Sequence, residues 1–243
     1  MSNQTRASSS QHRFSLEIRD NLGQEFADIY TSEACAALVH MAQFNAAQHQ
    51  LMDRRLKRRA ERIQGQKQLC FLDPSARIGG TDILVQDARD GKFTGSVIPA
   101  DLQRQWIQGT GPAAKPNASL RSSLRNAAYA LLSGADGWMF DGEDALGQTG
   151  TMSLDNQRSL KLGIARDPLF LEVAEEVSRQ MNSWAQDFFG RPIVKDWRQQ
   201  LASTTVIYRV RGLHLDDRHL RVDGVALSAS IADLSLYVVH NHA

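Results

Sequence analysis

Apolar residues along this chain fall mostly at helical spacing, broken by short runs that read as strands. After a polar, serine-rich start over residues 1–11, residues 14–18 suit a short strand. Residues 32 to about 64 hold neither glycine nor proline, and Leu38, Met41, Ala42, Leu51, Met52, Leu56 and Ile63 keep roughly helical spacing. One long helix is predicted there, one face packed and the other solvated. Residues 71–95 mix polar side chains with Gly79, Gly80 and Gly91, the composition of a connecting stretch. A helix over 119–132, closed by Gly134, leads into a buried strand at 137–140. Pro168 opens a further helix whose apolar stripe, from Leu169 and Phe170 through Val177 to Phe188, ends at Gly190 and Pro192. The clearest strand is 204–210, with Val206, Ile207, Tyr208 and Val210. From Ser228 onward Ile231, Leu234, Tyr237 and Val238 fit one more amphipathic helix, with Ser230 as candidate N-cap and Asp233 as its capping-box partner. Helix, glycine, apolar strand and acidic strand end together predict an α/β fold with its site at the C-terminal strand edge.

Charge changes this picture little. Across 243 residues, 28 basic side chains stand against 27 acidic ones, so neither nucleic acid nor a membrane is expected as a partner. Arg54, Arg55, Lys57, Arg58, Arg59 and Arg62 crowd one stretch, which reads as a solvated helix face in preference to a phosphate site. Cys35 and Cys70 lack the spacing of a zinc site or disulfide framework and are expected to be reduced, packed thiols. The polar start is unlike a secretory signal, and no eighteen apolar residues run together, so a cytoplasmic protein is expected. Gly79 and Gly80 belong to no phosphate-binding spacing.

Two constellations hold candidate chemistry. Asp141, Glu143 and Asp144 follow the apolar Met139 and Phe140, with Gly142 expected to permit an unusual turn. Three carboxylates there suit a divalent cation or a polarised substrate group, and equally a solvated acidic loop. In the second, Arg209 and Arg211 close the strand at 204–210 and are expected to take opposite sides, so that one faces a site. A guanidinium there offers a planar, permanently charged fork for a carboxylate or a developing enolate, although such strand-end arginines are more often structural. His214, His219, His240 and His242 have no carboxylate or cysteine spaced with them as a ligand set and read as helix-end and loop residues.

Four segments, in order, resemble the shorter, glyoxylate-cycle malate synthases. They are residues 98–102 followed by Thr110, Gly111 and Pro112; residues 139–145, similar to the family's M-A-D-F-E-D-S; Arg209 to Leu215 with Arg218 and His219, similar to R-V-R-G-L-H-L-x-x-x-H; and residues 230–241, similar to S-L-F-D-F-x-L-Y-F-F-H-N. The resemblance implies an N-terminal mainly helical domain and linker over residues 1–95. It implies the first part of a (β/α)8 TIM barrel over 96–243, with an inserted helix at about 168–189. In this family acetyl-CoA is deprotonated to an enolate that attacks glyoxylate, and the resulting thioester is hydrolysed to malate. Carried over by motif, Arg209 is the catalytic arginine, while Asp141, Glu143 and Asp144 are candidates for contacts to substrate or to the surroundings of the metal. The family's magnesium ligands and its acid–base aspartate lie on later segments, so no direct metal ligand is assigned in this chain.

A magnesium-dependent enzyme using acetyl-CoA, or a related acyl-CoA, and glyoxylate, or a related 2-oxo acid, is thus the first expectation, with the barrel completed by a partner chain or, if this is a fragment of a longer gene, by its missing part. A related carbon–carbon lyase or aldolase subunit, or a non-catalytic interaction module, are the alternatives. Gly142 stands where the family has phenylalanine, and Lys115, Pro116 and Asn117 replace an Arg-Lys-Met stretch; both departures keep the alternatives open.

Overall fold

The computed structural model describes residues 15–110, 112–113, 115–142 and 150–242. It divides into two compact units, Met1–Gln50 with Gln105–Ala243, and Leu51–Arg104.

In the larger unit, β2 (Trp106–Thr110), β3 (Gly137–Asp141) and β4 (Thr205–Arg209) form a parallel sheet in the order β2-β3-β4, with β1 (Leu16–Ile18) belonging to a second sheet. The crossover from β2 to β3 carries α5 (Leu120–Leu131), and that from β3 to β4 carries α6 (Met152–Ile164), α7 (Pro168–Phe189) and α8 (Trp197–Ser203). The order reflects the chain: α1 (Leu22–Glu25), α2 (Ser32–Met41), α3 (Asn45–Gln64) and α4 (Val85–Arg89) precede β2. A mixed α/β fold is therefore present; among the described residues neither sheet is closed and the parallel sheet holds three strands.

Local chemistry sets the helix ends. The Ser122 amide donates to the Ser119 hydroxyl at 3.2 Å, and the Leu169 amide donates to the Asp167 carboxylate at 2.9 Å just ahead of α7. Gly190 ends α7 at φ +65°, a left-handed conformation that glycine adopts without a Cβ penalty. Leu124 and Leu131 of α5 and Phe170, Val173 and Val177 of α7 then pack with Trp138 and Phe140 of β3 in one core.

The second sheet is antiparallel, in the order β1-β5-β6, with β5 spanning Asp216–Val222 and β6 spanning Val225–Ser228. It shares a second core with α2 and α9 (Ala229–Asn241), built on Phe26, Ile29, Leu38, Leu220, Leu227 and Ile231.

Several expectations are revised. The helix predicted over 32–64 is interrupted by a tighter turn at Ala42–Phe44, and Leu51, Leu56 and Ile63 beyond it are exposed, so no packed face continues there. Cys70 is exposed and only Cys35 is partly packed. Ser230 and Asp233 form no capping box: Ser228 occupies the N-cap position of α9, the Ser230 hydroxyl donates to Gln48 at 2.8 Å, and Asp233 is taken by Arg211. Among the described residues no helix is long and apolar enough to cross a membrane.

Candidate functional site

Parallel pairing brings the ends of the three strands together, with Thr110 beside Asp141 and Asp141 beside Arg209. Asp141 is fully buried, and its Oδ2 accepts from Gln108 Nε2 at 2.6 Å and from Arg209 Nη1 at 2.5 Å. A carboxylate removed from water requires such donors, and an arginine supplies both charge and direction. The Arg209 side chain is itself 46% exposed, so Asp141 anchors it through Nη1 while part of it stays in reach of solvent.

Gly142 follows at once. Its amide donates to the Arg209 carbonyl at 2.9 Å, and a Cβ built on it would lie 2.8 Å from that oxygen and 3.2 Å from the Tyr208 ring. Its φ lies outside the left-handed region, so the expected unusual turn is not the reason for glycine. Close approach to β4 is the reason, and a larger residue at this position requires the strand end to shift.

Arg211 takes the other destination. Residues two apart on one strand share a face, so alternation does not separate the two arginines; β4 ends at Arg209, and Arg211 belongs to the loop beyond. There it is buried: Nη2 donates to Asp217 at 2.6 Å and to Asp233 at 2.7 Å, while its backbone amide donates to Asp233 at 2.9 Å. Burial pulls the guanidinium toward losing its proton, but Asp233 and Asp217 outweigh this and hold it above the usual arginine range. Tyr208 stacks between Phe140 and Tyr237, and its hydroxyl accepts from Gln157 at 3.1 Å. Burial, reinforced by the Asp233 charge, pushes that phenol well above its ordinary range, so it stays protonated.

Asp141 and Arg209 are thus brought together, whereas Glu143 and Asp144 lie outside the described residues. His219 is buried on β5, and burial lowers its basicity; His240 approaches the Ile29 carbonyl at 2.7 Å, and His214 and His242 are exposed. Among the described residues no group of three or more His, Cys, Asp or Glu side chains could hold a metal ion. The Asp141 carboxylate is engaged by Gln108 and Arg209, an arrangement that suits a carboxylate orienting an arginine. Gln108, Gln157 and the Asp217–Arg211–Asp233 cluster escaped the sequence reading. Only Asp233 and Arg211 left a signal there, as a supposed capping residue and as half of an arginine pair.

By fold and site, this is an open α/β protein with an arginine–aspartate pair at the C-terminal edge of a parallel sheet. In sequence it is similar to malate synthases over most of its length. It is 26% identical over 229 residues to the glyoxysomal malate synthase of Zea mays, covering 94% of this chain and 34% of that protein. It is 28% identical over 229 residues to malate synthase of Oryza sativa subsp. japonica, and 25% identical over 228 residues to that of Dictyostelium discoideum, covering 94% and 93% of this chain. The chain spans about a third of the length of the curated relatives it matches (34% and 35% for the last two). No protein-family model matches it.

Proposed function

We propose that this chain forms the arginine-bearing part of a malate-synthase-like enzyme that condenses acetyl-CoA, or a related acyl-CoA, with glyoxylate or a related 2-oxo acid. The observation that carries this reading is Arg209, an arginine with a half-exposed side chain at the end of a parallel strand, held by a fully buried aspartate. Such a fixed fork suits the carboxylate of a 2-oxo acid and the negative charge that develops as an enolate forms. Asp141 positions it, and Gln108 holds Asp141 from the neighbouring strand.

In this reading β2, β3 and β4 are the first part of a (β/α)8 barrel, supported by their parallel pairing in chain order. A barrel closes only with further strands, and among the described residues β2 and β4 each pair on one side alone. In this reading the remaining strands, the magnesium ligands and the catalytic acid come from further sequence, on a partner chain or on a longer form of this one, with the cytoplasm as the compartment. Asp141, with Glu143 and Asp144, would act near the metal through water or through its ligands.

The test is purification of the tagged chain from its native host, identification of accompanying proteins by mass spectrometry, and a magnesium-dependent assay of free CoA released from acetyl-CoA and glyoxylate. A co-purifying strand-bearing polypeptide and CoA release, lost by at least roughly 100-fold in Arg209→Ala, is the expected result. CoA release that survives Arg209→Ala overturns the assigned role. A complex that is inactive here but cleaves a 3-hydroxyacyl thioester moves the reading to a lyase, and a lone, inactive chain moves it to an interaction module.

A further inference from the structure

The near-neutral total charge conceals a strong local asymmetry. Over residues 51–64 six basic side chains face two acidic ones, within the smaller of the two units. Among the described residues Arg55, Arg58 and Arg59 are exposed and have no ion-pair partner. At about 100° per residue they fall, with Arg62, within an arc of about 100° on the second half of α3. Directly beside that arc lie Met52, Leu56 and Ile63, within about 40° of one another. Leu56 is 54% exposed and Ile63 64%, and the segment that follows leaves Phe71 92% exposed.

A packed helix buries its apolar stripe, and a merely solvated one has no need of one. This helix presents an apolar stripe and an uncompensated basic arc side by side. We propose that the face of α3 over residues 51–64 docks on an anionic lipid surface. Its stripe enters the boundary between headgroups and acyl chains while the arginines remain among the phosphates. The uncompensated positive charge specifies an anionic surface. The aliphatic stripe favours lipid over nucleic acid, whose bases are gripped by aromatic and hydrogen-bonding side chains.

The experiment is co-sedimentation of the full chain with vesicles of phosphatidylcholine alone and with vesicles of one part phosphatidylserine to two parts phosphatidylcholine. Binding to the second and not the first is expected, weakening as salt rises. Arg55→Glu combined with Arg58→Glu and Arg59→Glu should weaken it at least roughly 10-fold, and Leu56→Ser combined with Ile63→Ser by a similar factor. These positions are exposed, and circular dichroism of each variant checks that its helix content is retained; the lipid-composition and salt series on the unmodified chain stands independently of them. No binding, or equal binding to both vesicles, overturns the proposal. So does full binding by the Leu56/Ile63 variant with equal competition by heparin, which would assign the face to an acidic macromolecule.

Discussion

Arg209 and Arg211 lie two positions apart and meet opposite conditions. Arg209 stays half exposed while it pairs with the buried Asp141, whereas Arg211 is buried between Asp217 and Asp233. The second arrangement is the more demanding, because removing one partner strands a charge in a dry interior. Asp233→Ala is expected to lower stability by about 3–5 kcal/mol, read from urea denaturation, since Arg211 loses three of its guanidinium contacts and its amide loses its acceptor. A loss below about 1 kcal/mol would mean that water reaches this cluster. The arginines themselves were visible in the sequence. Their partners were not, because Asp233 sits on a helix face where local rules also offer it a capping role, and only the packing of α9 beside the β4 end decides between the two.

At the scale of elements, legibility followed apolar content. The α7 helix was legible over its full length because its stripe, N-terminal proline and terminal glycine agree. Phe170 within it is fully buried in the core shared with β3, so Phe170→Ala should cost about 3–5 kcal/mol in chemical denaturation. Trp184→Ala, at an exposed position of the same helix, should change the midpoint little. The α6 helix went unseen because the face it buries carries Ser153, Asn156, Gln157 and Ser159 beside Met152, Leu154 and Leu160. In β5 the buried positions include Asp217 and His219 beside Leu220 and Val222, which breaks the apolar alternation that marks a half-buried strand. In β2, Trp106 lies over Gly137, where an added Cβ would sit 2.2 Å from its ring; a pairing of that kind leaves no local pattern.

At the scale of the whole molecule, the two units differ in how much they bury. Within Leu51–Arg104, Val85 is the one hydrophobic side chain among the described residues that is fully packed away, while the larger unit holds both cores. Segments with little burial open at low free energy, so limited trypsin digestion should cut first within 51–104, with fragments assigned by mass spectrometry. First cuts inside α5, α6 or α7 would contradict that order of stability. Periodicity, caps and ordered motif segments were enough to determine the α/β class, the long α7 helix, strands expected at 137–140 and 204–210 that lie within a residue of those observed, and the similarity to malate synthases, because each depends on residues close together in the chain. Tertiary structure alone decided that Asp141 holds Arg209, that Gln108 holds Asp141, that Arg211 is buried with Asp233, and that Gly142 is required by the approach of β4. Each of these joins groups far apart in sequence, and burial and charge compensation between such groups arise only once the elements pack.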